Sequence, residues 1–219
     1  MIRHVFDALA PHYCYSCGEV GSVLCRGCNY DIVSEASRIC VKCRTITATG
    51  RCRRCRTAIK EVHMMGPREG AIERLVDAAK FESVREAADM QAELLASVLP
   101  DLPGVVVVPV PTIRPHIRRR GYDHTLRLAR QLARRIDGRC EALLVRRGTS
   151  VQHGASRAAR LKQAAQAFAV RSSADEHTRY LLVDDVTTTG ASLLEAAKVL
   201  RAAGARHIYA AVTSYQVLK

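Results

Sequence analysis

Residues 180–192 read YLLVDDVTTTGAS, and the fold follows from what this stretch has to be. Tyr180, Leu181, Leu182 and Val183 form a continuous apolar run of the kind buried on both faces of a parallel sheet. Two carboxylates, Asp184 and Asp185, stand at its carboxyl end. A hydroxyl-rich turn with a single glycine follows, and from Ala191 to Ala203 the composition suits a helix. Such a strand, turn and helix recur along the chain. Downstream, residues 207–213 read as another strand. Upstream, the four valines of residues 105–108 run into Pro109, Val110 and Pro111, a buried strand that ends in a rigid loop.

Between these strands the apolar spacing is helical. Ile72, Leu75, Val76 and Ala79 share one face, residues 84–99 continue the period until Pro100 and Pro103 stop it, and residues 123–136 and 156–166 read as further helices. Short strands are expected at residues 61–65 and 141–145, and Gly66 and Pro67 mark a turn. Strands alternating with helices give an α/β fold, a mostly parallel sheet flanked by helices.

Each part of the deciding stretch has a chemical use. Adjacent carboxylates at a strand end can accept hydrogen bonds from the two neighbouring hydroxyls of a ribose, or act through magnesium and its waters. Thr187, Thr188, Thr189 and Gly190 offer hydroxyls and unhindered amides where a helix begins, a place that favours an anion such as a 5-phosphate. The competing reading is purely structural, with Asp ending a strand and Thr or Ser capping the next helix. That reading suits any one of these residues better than it suits the whole run.

Residues 1–60 are of another kind. Branched apolar residues are few, and eight of the nine cysteines fall in four CxxC pairs: Cys14/Cys17, Cys25/Cys28, Cys40/Cys43 and Cys52/Cys55. Four thiolates suit one tetrahedral zinc, so two structural zinc ions are expected, paired along the chain as in a double zinc ribbon, with an interleaved pairing as the alternative. A redox CxxC or an iron–sulfur cluster competes weakly, because no thioredoxin-like βαβ pattern surrounds any pair. Cys140 has no partner and reads as an ordinary semi-buried cysteine. The expected division is therefore a double zinc ribbon over residues 1–60 and an α/β domain over residues 61–219.

The formal charge is +13, from 34 Lys and Arg against 21 Asp and Glu. Ten basic and four acidic groups lie in residues 1–60. Eight thiolates binding two zinc ions would bring that segment from +6 to about +2. The remaining +7 lies on the larger domain and suits a polyphosphate ligand. Arg51, Arg53, Arg54 and Arg56 interleave with Cys52 and Cys55, a knuckle able to contact nucleic-acid phosphates or simply a solubilising loop. No stretch approaches about 18 apolar residues and nothing at the amino terminus resembles a signal peptide, so no membrane insertion and a cytoplasmic location are expected.

The string DDVTTTGAS resembles the phosphoribosyl-pyrophosphate motif of type I phosphoribosyltransferases. With the cysteine pairs, Gly70 through Lys80 and Phe81, Pro109-Val110-Pro111, Arg120-Gly121-Tyr122, Gln152, Arg160 and Phe168 in this order, the chain resembles the ComF family over nearly its full length. These competence-associated proteins are also called amidophosphoribosyltransferase-like. The resemblance implies a type I phosphoribosyltransferase-like domain behind a zinc ribbon, with phosphoribosyl pyrophosphate and magnesium as ligands. Asp184 and Asp185 would hold the ribose hydroxyls, residues 187–192 including Ala191 and Ser192 the 5-phosphate, and Pro111 and Thr112 the pyrophosphate. Arg120, with Arg118, Arg119 and Arg160, would stabilise the leaving charge. Gln152 and Arg157 would belong to a loop that closes over the substrate. A link to DNA uptake is implied too, with single-stranded DNA and DNA-uptake proteins as partners. The acceptor of the phosphoribosyl group is not identified by any residue. Asp123 and His124 stand where the family commonly has Asn-Gln, and Gln163 where an Asn is usual. Arg146 and Arg147 read as solvated, and His116, His124 and His153 each as surface histidines.

Overall fold

The computed structural model describes residues 12–48, 51–82, 84–147 and 167–217. Its centre is a six-stranded sheet in the order β1-β2-β8-β7-β3-β4, built from β1 (Ser37–Arg38), β2 (Val62–Pro67), β3 (Val106–Pro109), β4 (Arg139–Cys140), β7 (Arg179–Thr187) and β8 (His207–Tyr215). β1 pairs antiparallel with β2, and the other neighbours are parallel. A separate antiparallel pair joins β5 (Leu144–Arg146) to β6 (Phe168–Val170). The helices are α1 (Arg26–Ser34), α2 (Gly70–Phe81), α3 (Arg85–Val98), α4 (Arg114–Arg120), α5 (His124–Arg135) and α6 (Ala191–Ala202). This is the α/β architecture expected of a type I phosphoribosyltransferase-like domain preceded by cysteine-rich modules.

The strand alternation builds two cores. Met65, Val107, Leu181, Val183 and Ala211 face α2, α3 and α5, whereas Met64, Val106, Val108, Leu182 and Val212 face α6. Every residue of β3 is buried, as a valine run covered on both faces requires. The cysteine-rich segment enters both cores: Val23 and Leu24 join the first, Ile39, Val41 and Ile59 the second. At Lys60, where the sequence changes character, the backbone N–H already bonds the Ile208 carbonyl at 2.7 Å.

Some expectations need correcting. The turn expected at Gly66 and Pro67 is instead the end of β2, which runs through both in register with Ser214 and Tyr215. The strand expected at residues 141–145 is largely misplaced: β4 on the sheet edge already ends at Cys140, residues 141–143 form no strand as the chain leaves the sheet, and β5 begins at Leu144. α4 was not expected: it is one short basic helix, started by a proline in its first turn and ended by Gly121 at φ 77°. The helix expected at residues 156–166 lies outside the described residues.

Candidate functional site

The chain leaves β3 for β4 on one side and leaves β7 for β8 on the other, so the sheet's connections diverge between β3 and β7. Crevices beyond the carboxyl ends of strands at such a divergence are where α/β sheets bind ligands. β3 ends opposite Val183, and the Val110 N–H closes the pairing with the Val183 carbonyl at 2.9 Å. Asp184 and Asp185 therefore come just past the last residue paired with β3, while β7 continues beside β8 to Thr187, and they are flanked by the loop at Pro111 and Thr112 and by the threonine loop that leads into α6.

Successive strand residues face opposite ways, and this separates the two carboxylates. Asp185 is buried on the side of α2 and α5, where its Oδ2 lies 2.8 Å from Lys80 Nζ and 2.7 Å from His124 Nε2. Burial alone would raise its carboxyl, but the His124 hydrogen bond and the Lys80 charge outweigh burial and hold it below the ordinary carboxylate range. Asp184 lies on the other side, partly accessible, with its Oδ1 accepting the Asp185 N–H at 3.0 Å. Burial and the charge of Asp185 raise the Asp184 carboxyl well above its usual value, with Lys80 opposing.

A polar chain ties the loop after β3 to Asp185. Thr112 Oγ1 donates to Asp123 Oδ1 at 3.2 Å and lies 3.3 Å from Thr125 Oγ1, which in turn lies 3.3 Å from His124 Nε2. Asp123 also caps α5 by accepting the Leu126 N–H at 3.1 Å. Arg120 reaches His124 Nδ1 at 3.0 Å and stacks on Phe81, 5.0 Å from the ring centre. His124 is thus buried at the middle of the network, not a surface histidine as its sequence context suggested; His116 is exposed, and His153 lies outside the described residues. Arg118 and Arg119 are exposed on α4.

The threonine loop is open where it meets α6. Thr188, Thr189 and Ser192 are exposed, and the N-cap Gly190, at φ 77°, provides no side-chain cap. Thr189 Oγ1 accepts the Ala191 N–H at 3.4 Å, and none of the described residues takes up the N–H of Thr188, Thr189 or Gly190. Arg146 is also corrected. It is half-buried, stacked 5.4 Å from the Phe168 ring centre, and Nη1 donates to the Pro111 carbonyl at 3.5 Å. Arg147 is exposed. With Thr112, Arg114, Asp123 and Arg171, Arg146 lines a cleft of about 220 Å³ beside the loop after β3. Gln152, Arg157, Arg160 and Gln163 lie outside the described residues. Lys80 and Arg44 are the contacts that residue-by-residue reading missed as site groups. Lys80 had a signal, a lone lysine ending an amphipathic helix, while Arg44 had none beyond its place after Cys43.

The cysteines gather as two groups, Cys14, Cys17, Cys25 and Cys28, and Cys40, Cys43, Cys52 and Cys55, each with its Sγ atoms within 4.8 Å of one another. Knuckles adjacent in sequence therefore pair. A tetrahedron of thiolates about 2.3 Å from zinc has edges of about 3.8 Å; Cys17 and Cys25 are 3.7 Å apart, as are Cys43 and Cys52. Thr45, through its hydroxyl and amide, pulls the Cys43 thiol down to about 5. Burial pushes Cys14 up, but the amides of Cys17, Cys25 and Ser16 bring it to about 6. Cys17, Cys25, Cys28 and Cys40 are raised instead, and Cys55 is pushed up to about 12, so it is the close spacing of the four sulfurs that suits each group to a metal. No described helix is long and apolar enough to cross a membrane.

No family model matches the chain. It is similar to "Competence protein F" of Haemophilus influenzae (strain ATCC 51907 / DSM 11121 / KW20 / Rd), 37% identical over 106 residues, which are 47% of this chain and 46% of that protein. The chain thus spans about half the length of the curated relative it matches. This similarity and the two four-cysteine groups, which fit a double zinc ribbon, together support the resemblance to the ComF family that the motifs carry.

Proposed function

We propose that the protein binds phosphoribosyl pyrophosphate with magnesium and transfers its phosphoribosyl group to an acceptor, in a process linked to DNA uptake. The carrying observation is the opening of the threonine loop and the Asp184 and Asp185 pair at the sheet's point of divergence, across from Pro111 and Thr112. In this reading the amides of residues 188–190 hold the 5-phosphate. Asp184 and Asp185 hold the ribose hydroxyls, and Lys80 and His124 keep Asp185 ionised and in place. Magnesium, a hard cation suited to carboxylate oxygen, would be held through Asp184 and would neutralise the pyrophosphate. Arg120 faces the charge that grows as the C1–O bond breaks and pyrophosphate departs with the electron pair. The acceptor atom forms the new bond at C1 and gives up its proton. The DNA-uptake link rests on the similarity to Competence protein F and the ComF-like motifs.

A second reading has its own support. Arg51, Arg53, Arg54 and Arg56 are all exposed on the last knuckle, and three of them line an open hollow with Cys52, Thr57 and Ile59. The protein would then be a non-enzymatic accessory factor that engages single-stranded DNA or DNA-uptake proteins.

Calorimetric titration of zinc-loaded protein with phosphoribosyl pyrophosphate and magnesium separates the two. Micromolar binding lost in the Asp184→Asn/Asp185→Asn variant supports the first reading. No binding, together with salt-sensitive binding of a single-stranded oligonucleotide, supports the second.

A further inference from the structure

The two cysteine groups have different neighbours. The first packs toward α2 and α3, where Tyr15 lies against the core those helices share and the Asn29 amide donates to Glu93 Oε1 at 3.2 Å. The second lies against the other face of the sheet and touches the threonine loop itself. Val41, between Cys40 and Cys43, leaves no space at Gly190: a Cβ there would fall 2.5 Å from the Val41 carbonyl oxygen and 2.6 Å from its Cγ2.

Arg44, the residue after Cys43, completes the contact. Its N–H bonds the Cys40 carbonyl at 2.9 Å, closing the knuckle, and its φ of 60° is one that residues with a Cβ seldom adopt. The half-buried guanidinium donates to the backbone carbonyls of Thr187 and Thr188, lies 3.7 Å from Met64 Sδ through Nη1, and stacks 5.6 Å from the Tyr215 ring centre. Tying these carbonyls back toward the knuckle leaves the amides of the same loop turned to the open side. An anion cradle requires that division of backbone groups.

We infer that the metal group formed by Cys40, Cys43, Cys52 and Cys55 is a wall of the threonine loop, and that Arg44 and Val41 link metal occupancy of this group to affinity for the phosphoribosyl ligand. The inference rests on the function proposed above. Arg44 is a positioning residue, since it acts through the loop backbone. The linkage is reciprocal: a ligand that binds better when the metal is in place must retain that metal more firmly.

The test uses zinc-loaded full chain and ribose 5-phosphate as probe, with calorimetric affinity and the rate of zinc loss to a coloured chelator as readouts. Saturating ribose 5-phosphate is expected to slow the loss of one of two zinc equivalents about fivefold or more. Arg44→Ala, retaining two zinc ions, is expected to bind the probe about tenfold more weakly and to show no slowing. Arg44→Lys, which keeps the charge but loses the planar guanidinium that reaches both carbonyls through Nη2 while stacked on Tyr215, is expected to fall between. Ribose 5-phosphate that binds the wild-type protein without changing zinc loss, or that binds Arg44→Ala equally well, overturns the linkage and leaves the functional proposal standing. Should the probe not bind zinc-loaded wild-type protein at all, both fall.

Discussion

Replacing Lys80 by methionine keeps most of the side-chain volume and removes the ammonium 2.8 Å from Asp185, in a pair whose side chains are only 16% and 7% exposed. Removing one partner of a buried ion pair costs about 3–5 kcal/mol. His124 remains 2.7 Å away as a second partner and leaves the carboxylate only half-orphaned, which brings the loss below that range, to about 2–3 kcal/mol. For a chain of this size the corresponding fall in Tm is about 5–10 °C. The assay is a double-mutant cycle with Asp185→Asn, read by urea unfolding of zinc-loaded protein near neutral pH. The sign with pH follows from the lowered Asp185 carboxyl. In the wild type its contribution is present above the ordinary carboxylate value and is lost as pH falls through the lowered one. In Lys80→Met the carboxyl rises and protonates earlier, so the gap between the proteins is widest at neutral pH and narrows on mild acidification. A coupling energy below about 0.5 kcal/mol, or a gap that widens in acid, would refute the reasoning.

Three further outcomes follow from the geometry. Because burial and Asp185 raise the Asp184 carboxyl, binding of a magnesium-bearing ligand to its ionised form releases a proton. Binding enthalpy should then vary with the ionisation enthalpy of the buffer, less so as pH rises above the Asp184 value and not at all in Asp184→Asn. Gly190→Ala adds a Cβ at φ 77° and 2.5 Å from the Val41 carbonyl oxygen, at a cost of about 2–4 kcal/mol; an unchanged Tm would contradict the close approach. Elemental analysis should find two zinc ions per chain, and stripping them should lower Tm by at least ~10 °C, because Val23, Leu24, Ile39 and Val41 reach the cores through the cysteine knuckles.

What the sequence made legible was whatever is local. The apolar run of β7 with its abrupt polar end, the valines of β3 and the four CxxC pairs each carry their meaning within a few residues. The helical spacing from Ile72 to Ala79 found α2 for the same reason. α4 escaped because its seven residues, RPHIRRR, have one large aliphatic side chain and no apolar stripe. It is held by its ends and reads as a basic turn. His124 looked exposed because its burial comes from α2, β7 and α5 meeting around Asp185, and Arg146 because Phe168 and Pro111 lie far from it in sequence. Arg44 is the extreme case, its contacts being 143 and 144 residues away. Spacing near a residue cannot report a partner so distant. The alternation of β7, by contrast, was available from the sequence, and it alone implies that Asp184 and Asp185 face different sides.

The most direct measurement follows the backbone amide resonances of Thr188, Thr189 and Gly190 in zinc-loaded protein as ribose 5-phosphate is added. The account predicts large, saturable downfield shifts at these three amides, with only small changes at Arg51, Arg53, Arg54 and Arg56. Shifts confined to the arginine knuckle, or none at the threonine loop at saturating ligand, would contradict it.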